Sequence, residues 1–223
     1  MHEQTAEITW RDDQTPVSTV FDDPYYSLDD GVAETRHVFL QGNRLPPRFK
    51  AGFHIAELGF GTGLNLCVAL QAWIDAACDG PLRFTSFEAF PMNPSDMRKA
   101  LSHFPSLGPL AEQVIATLEA GKTSVTTPQL EFELIVGDAR QTVPAWEGRA
   151  DAWFLDGFSP AKNPQLWEAP LMQAVFDHTQ CGGTAATYAA AGFVRRNLAD
   201  AGFSVERVQG FGRKRHMTTA CRP

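Results

Sequence analysis

Four acidic residues and one glycine turn are the parts of this sequence whose types and spacing could do chemistry. Glu57-Leu58-Gly59-Phe60-Gly61-Thr62-Gly63-Leu64-Asn65 sets an acid directly before G-x-G-x-G. Glycines let the backbone turn tightly and approach a ligand without a Cβ clash. A helix starting just after such a turn offers free N–H groups and a positive dipole end, which suit a carboxylate or phosphate. Glu88 closes a second apolar run, where a carboxylate can accept hydrogen bonds from both hydroxyls of a ribose. Asp138 closes a third run and Asp156 a fourth. At Asp156 a carboxylate can accept an amine N–H and orient the nitrogen lone pair. It can also take the proton, although an ordinary aspartate with a pKa of about 3.9 is a weak base. Phe158, two residues on, can stack on a planar base. Each acid taken alone could equally be a strand-end or helix-capping carboxylate, and Phe158 a core residue in a turn.

These residues need elements to position them. From residue 53 the chain alternates apolar strands with helices. Strands are expected at 53–58, 82–87, 130–136, 152–155 and 183–188, and helices at 64–77, 96–104, 110–120, 165–179 and 193–201. Two last strands, 203–209 and 216–220, would pair as a hairpin across Gly210-Phe211-Gly212. This order predicts an α/β fold: a doubly wound, Rossmann-like sheet, mainly parallel with an antiparallel last strand, helices on both faces. Such sheets bind ligands at the carboxyl ends of their strands, where the four acids fall. The first fifty residues read as polar and irregular, with turns at Asp12-Asp13, Asp22-Asp23-Pro24 and Asp29-Asp30-Gly31, a short helix over 32–40, and Pro46-Pro47 closing the segment. The expected organisation is an extension over 1–50 packed on a core domain over 51–223.

The spacing argues against a dinucleotide. G-x-G-x-x-G counted from Gly59 needs glycine at Leu64, and counted from Gly61 needs it at Leu66; leucine blocks close helix–strand packing at either place. The net charge of −7 counts against non-specific nucleic-acid binding by bulk charge, but leaves room for a local basic patch. Cys67, Cys78, Cys181 and Cys221 form no C-x-x-C pair and have no histidine cluster beside them, so no metal is expected. Scattered cysteines, a start at Met1-His2-Glu3-Gln4-Thr5 unlike a signal peptide, and no apolar run near the ~18 residues of a spanning helix point to the cytoplasm and away from the membrane.

The acid followed by G-x-G-x-G resembles motif I of the class I S-adenosylmethionine methyltransferases. That resemblance implies S-adenosyl-L-methionine as cofactor, with Glu57 holding its amino-acid end and Gly59, Gly61, Gly63 and Asn65 forming the turn around it. Glu88 would then take the ribose, and Asp138 with Ala139 the adenine amino group. A narrower resemblance follows from Leu155-Asp156-Gly157-Phe158-Ser159-Pro160-Ala161-Lys162-Asn163-Pro164 with Trp167, and from Gly210-Phe211-Gly212-Arg213-Lys214-Arg215. Tyr25-Tyr26-Ser27, Gly31 with Glu34-Thr35-Arg36, Val38 to Asn43, Ser86-Phe87-Glu88 with Phe90-Pro91, and Ala191 to Arg196 agree with it. These blocks are similar to the methyltransferase domain of the MnmC family, bacterial enzymes that modify the wobble uridine of certain tRNAs.

The resemblance implies methylation of the exocyclic amine of 5-aminomethyl-2-thiouridine in tRNA. Asp156 would sit at the acceptor amine and Phe158 beside the uracil ring. Longer family members carry a second, FAD-dependent oxidoreductase domain that first strips a carboxymethyl group. No second nucleotide fingerprint occurs here, so a stand-alone methyltransferase or a piece of a fusion is expected, taking a substrate that already bears the free amine. For tRNA, Arg44, Arg48, Lys50, Lys162, Arg195, Arg196, Arg213, Lys214, Arg215 and His216 are expected on one face around the cleft, with Lys162, Arg213, Lys214 and Arg215 touching substrate. Trp153 and Trp167 read as packing residues. Competing readings are a methyltransferase for a small or polyamine-like amine, favoured by the acidic surface; a non-catalytic binding module; and a nicotinamide oxidoreductase, disfavoured by Leu64 and Leu66.

Overall fold

The computed structural model describes residues 5–12, 14–27 and 30–223. Asp13 and Asp29, read above as turn residues, and Met1 to Gln4 lie outside the described residues. The chain begins with β1 (Ile8–Arg11), β2 (Thr15–Ser18) and β3 (Asp23–Pro24), then α1 (Gly31–Thr35). The main body follows as β4 (His54–Leu58), α2 (Leu64–Asp75), β5 (Leu82–Glu88), α3 (Pro94–Leu101), α4 (Gly108–Glu119), β6 (Ser124–Thr126), β7 (Leu130–Val136), α5 (Ala139–Ala145) and β8 (Ala150–Leu155). It ends with α6 (Ala169–Asp177), β9 (Thr179–Thr187), α7 (Gly192–Asp200), β10 (Ser204–Gln209) and β11 (His216–Cys221).

Eight strands form one sheet in the order β10-β11-β9-β8-β4-β5-β7-β6. The five central strands pair in parallel, whereas β11 runs antiparallel between β9 and β10, and β6 antiparallel to β7. This is the doubly wound α/β sheet with an antiparallel last strand that the alternation of elements predicts. Period-2 alternation sends side chains to opposite faces. Ile55, Phe84, Phe132 and Phe154 pack against Leu66 and Leu70 of α2 and Val114 of α4. Ala56, Phe87, Trp153 and Leu155 pack against Val143 of α5, Leu171 and Val175 of α6, and Val194 and Leu198 of α7. Both faces of the centre are thus sealed, and only the strand ends remain open for a ligand. Among the described residues no helix is long and apolar enough to cross a membrane.

The amino-terminal part differs from expectation. Residues read as irregular instead form a three-stranded antiparallel sheet, with Trp10 opposite Pro16 and Val17 opposite Pro24. Its strands span only two to four residues each, and β2 is buried along its whole length rather than alternating. The helix expected over 32–40 is composite: α1, capped by the Asp30 carboxylate on the Ala33 N–H (2.8 Å), runs into a π-helical turn over Arg36–Leu40 and a 3-10 turn over Gln41–Asn43. That turn buries Phe39, which stacks on Phe154 with ring centroids 5.2 Å apart. The helix expected over 165–179 is shorter, because a 3-10 turn covers Pro164–Trp167 and Thr179 already belongs to β9.

The basic residues do not gather on one face as expected. The Arg48 guanidinium donates to the carbonyls of Asn43 (2.9 Å), Asp151 (3.1 Å) and Gly182 (3.2 Å) and to Thr184 Oγ1 (2.6 Å). Lys50 pairs with Asp151 at 2.9 Å. Asp151 lies near the start of β8, so both cations serve the amino ends of the strands, opposite the end where Asp156 stands. The physical reason is local: four acceptors at a chain crossing need a multidentate donor, and Arg supplies one. Replacing Arg48 with Met should lower stability by about 2–4 kcal/mol, read by urea unfolding, because four partners lose a charged donor. KM for any nucleic-acid substrate should stay unchanged; a raised KM would return Arg48 to the binding surface.

Candidate active site

The glycine turn is stitched to both neighbouring strands at the carboxyl edge of the sheet. The Gly59 N–H donates to the Phe87 carbonyl and the Asp156 N–H to the Leu58 carbonyl, each at 2.9 Å. Gly59 has φ of +87°, and a Cβ there would collide with the Asp156 carbonyl oxygen. Gly61, at φ +54°, leaves room for Tyr25, whose ring would lie 2.9 Å from an added Cβ. Strands β4 and β8 are therefore in near contact at their tips, which is where a doubly wound sheet opens its ligand crevice.

Beneath the turn lies a chain of hydrogen bonds. Thr35 Oγ1 donates to Asn65 Oδ1 at 2.8 Å, which points the Asn65 Nδ2 the other way. Nδ2 then donates to Glu57 Oε1 at 2.9 Å and to Asp156 Oδ2 at 2.6 Å. Ser86 Oγ donates to the other Glu57 oxygen at 2.7 Å. Glu57 is completely buried, and burial pushes its carboxyl well above the ordinary range despite these donors. It stands behind Asn65 and not in the wall of the cavity, with an acceptor bond on each oxygen. Burial also raises Asp156, to about 7, with the Glu34 carboxylate adding to the shift and Asn65 and Lys214 opposing it.

A single cavity of about 1290 Å³ holds the remaining positions. Glu88, Asp138, Ala139 and Asp156 all line it, together with Gly59, Gly61 and Asn65. Gly63 starts α2 at φ +81° and lies just outside that lining. Glu88 accepts from the Gly61 N–H (3.1 Å) and the Phe90 N–H (2.9 Å), one on each oxygen, with the Phe60 and Ala89 N–H groups also acting on it. Asp138 caps α5 through the Arg140 N–H at 2.9 Å, and the Arg140 side chain pairs with both its oxygens at 2.6–3.0 Å. Those hydrogen bonds hold Asp138 below its usual range. An amino group arriving there would share a carboxylate already in use.

Phe158 stacks on Phe21 with centroids 4.7 Å apart and meets the Tyr25 ring edge-on at 5.1 Å. Its carbonyl accepts from the indole of the fully buried Trp167 at 3.1 Å. Lys162 is tied to the amino-terminal segment, bonding the Asp22 carbonyl, the Asp22 carboxylate at 3.1 Å and Asp23 at 3.8 Å. Arg213 and Lys214 line the cavity, whereas Arg215 is exposed outside it. Lys214 pairs with Glu34 at 2.8 Å and lies 4.0 Å from the centre of the Tyr188 ring. Glu34, Thr35 and Tyr188 are site residues to which sequence reasoning gave no role. Tyr188 carried a usable signal, since it directly follows β9; Glu34 and Thr35 carried none beyond their place in a matched block.

The donor set fits S-adenosylmethionine: a glycine turn before a helix, a strand-end carboxylate in the cavity wall for a ribose, and a cavity large enough for a nucleoside and a second ligand. The fold and site thus define a class I S-adenosylmethionine-dependent methyltransferase. A family model described as S-adenosyl-L-methionine-dependent methyltransferase matches residues 106–223. The chain belongs to that family. It is 43% identical, over 97% of its length, to the tRNA 5-methylaminomethyl-2-thiouridine biosynthesis bifunctional protein MnmC of Caulobacter vibrioides, and 42% identical over 96% to the protein of the same name from Chromobacterium violaceum. It spans only 38% and 34% of those relatives. The crystal structure of MnmC2 from Aquifex aeolicus superposes with a TM-score of 0.75 at 27% identity, covering 100% of this chain and 72% of that one.

Two outcomes follow from this geometry. Gly59→Ala should weaken S-adenosylhomocysteine binding at least about tenfold in calorimetry, since left-handed backbone and a collision with Asp156 coincide there. Unchanged affinity would show that the turn has room to spare. Asp156 binds its proton more tightly folded than unfolded, so its contribution to stability is greatest at acid pH and is lost as pH rises through about 7. Asp156→Asn should therefore raise Tm by about 2–4 °C above pH 7.5 and leave it unchanged near pH 3.5. A drop in Tm at high pH would contradict the burial argument.

Proposed function

We propose that the chain transfers methyl from S-adenosyl-L-methionine to the exocyclic amine of 5-aminomethyl-2-thiouridine at the tRNA wobble position, giving the methylaminomethyl form. The observation that carries the reading is Asp156, a carboxylate whose pKa of about 7 suits proton acceptance at neutral pH, in the wall of a cavity with Glu88 and Asp138. The substrate's identity is taken from the MnmC relatives, of which this chain spans about a third.

The bound cofactor supplies an electrophilic methyl on sulfur. Every other part of the step falls to the protein. A primary amine reaches the cleft as an ammonium and must shed a proton to expose its lone pair. Asp156, held by Asn65, accepts an N–H and takes that proton. These residues would hold the amine in line with that methyl, and positioning would provide most of the acceleration. Phe158, with its ring set by Phe21 and Tyr25, offers a surface for the uracil. Glu57 keeps Asn65 in place from below, and Gly59, Gly61, Gly63, Glu88, Asp138 and Ala139 hold the cofactor. Arg213, Lys214 and Arg215 meet the RNA backbone; Lys162 acts indirectly, by holding the Asp22-Asp23 segment.

The amine is already free when the tRNA arrives, supplied by an FAD-dependent oxidoreductase acting upstream, separate or fused. The extension over 1–50 walls, through its described residues, the cleft of the methyltransferase domain over 51–223. A tRNA substrate and free cysteines suit the cytoplasm. The test is nucleoside mass spectrometry of tRNA incubated with the protein and methyl-labelled cofactor. One labelled methyl on the aminomethyl-thiouridine supports the reading; label on a polyamine and none on tRNA overturns it. Asp156→Ala should cut kcat by about 10²–10⁴ while S-adenosylhomocysteine binds within about threefold of normal. In the unaltered protein kcat/KM should rise with pH through about 7.

A further inference from the structure

We propose that Glu34 and the ring face of Tyr188 form an ammonium subsite beside Asp156, filled by Lys214 in the free protein and taken over by the substrate's aminomethyl group. The inference rests on the reading above and adds to it how the free amine is selected.

The host is more enclosed than its guest. The Glu34 side chain is 13% exposed and that of Lys214 47%. The Lys214 Nζ sits 2.8 Å from Glu34 Oε1 and 4.0 Å from the Tyr188 ring centre, so a carboxylate and an aromatic face hold one ammonium between them. Both walls are fixed. The Tyr188 hydroxyl donates to the Gly157 carbonyl at 2.6 Å, one residue from Asp156. Glu34 lies on the capped helix α1, and its neighbour Thr35 bonds Asn65, which bonds Asp156. The subsite and the proton acceptor are therefore linked by a short chain of directional contacts. Asp156 also senses both Glu34 and Lys214 electrostatically.

Lys214, by contrast, is placed to leave. It belongs to the turn between β10 and β11, flanked by Arg213 and Arg215 and following Gly212 at φ +55°. An ion pair whose cation is half exposed contributes little, and a phosphate can match it. When the turn moves to the RNA backbone, Glu34 and Asp156 would face each other without a cation. The incoming ammonium restores the balance. A carboxymethylaminomethyl side chain carries its own carboxylate into the same place and is repelled, so only the processed amine fits.

The test uses the whole chain saturated with S-adenosylhomocysteine, two phosphate-free ammonium probes (5-aminomethyl-2-thiouridine nucleoside and benzylamine), and Tm as a check on folding. Lys214→Met should tighten both probes about three- to fivefold, yet lower kcat/KM on tRNA by a similar factor. Glu34→Gln should weaken both probes by about fivefold or more and narrow the discrimination against the carboxymethylaminomethyl nucleoside. Opposite signs for probe and tRNA in Lys214→Met are the expected signature. If that variant weakens probes and tRNA alike, or if neither variant moves benzylamine binding, the subsite is wrong. Absence of methyl transfer to tRNA by the unaltered protein sinks the tRNA reading instead, and the benzylamine series still decides the subsite.

Discussion

The amide of Asn65 is the interaction on which this site depends. Two carboxylates, Glu57 and Asp156, end adjacent parallel strands and would repel each other in a low-dielectric edge of the sheet. One Nδ2 group donates to both, at 2.9 Å and 2.6 Å. An amide can do this only if its orientation is fixed, and Thr35 fixes it by donating to Oδ1. Reversing the amide would turn a carbonyl toward two carboxylates and leave Thr35 facing an NH₂. A third element, the amino-terminal helix, thereby sets the electrostatics of a strand-end acid from outside the sheet. Removal of the Thr35 hydroxyl would take the donor from Asn65 Oδ1 and leave the amide's orientation to the two carboxylates alone.

Much of the sheet is legible in the sequence because its strands are continuous apolar runs. His54 to Leu58 is buried at every position, as a central parallel strand requires, and its end at a glycine turn marks the ligand edge without further information. Glu88, Asp138 and Asp156 follow by the same logic. What was not legible depends on contacts distant in sequence. Glu57 lies in motif I, but its distance from the cavity wall is set by Ser86 and Asn65. The short β1–β3 sheet has neither the length nor the alternation that makes a strand visible. Lys162 reads as a substrate contact from its place in the loop; only the fold reveals that Asp22 and Asp23 hold it. Asp138 combines the two readings open to it, since it caps α5 and also lines the cleft.

Net charge illustrates the same difference between a sum and an arrangement. A chain at −7 would seem a poor partner for RNA. The sum hides that Arg48 and Lys50 are tied up at the amino ends of the strands and that Arg98 is shared between Glu112 and Glu119 on the helical surface. Beside the cleft, Arg140 is tied to Asp138 and Lys162 to Asp22, while Arg213, Lys214 and Arg215 lie together on one turn. Asp23, Glu34, Glu88, Asp138 and Asp156 line the cleft itself. A cleft with a basic lip and an acidic floor suits the substrate proposed above, a polyanion bearing one cationic group.

The amino-terminal segment completes that floor. Tyr25 packs where Gly61 lacks a side chain, Phe21 covers Phe158, and Asp23 accepts the Ser159 N–H at 2.8 Å while Lys162 reaches back to Asp22. The loop after β8 is thus clamped from a segment that precedes it by more than a hundred residues. In a sheet enzyme, loops at the carboxyl edge move easily because few contacts restrain them. Here part of the restraint comes from outside the doubly wound core, through aromatic stacking and two carboxylates. The proposed chemistry needs Asp156 and Phe158 at a constant separation from whatever occupies the glycine turn, and a short surface loop cannot supply that constancy by itself. The segment read as an extension is therefore part of the site's geometry: without it, the sheet would still present the same acids, but the loop after β8 would lose its aromatic and carboxylate clamp and keep its bonds to Tyr188 and Trp167.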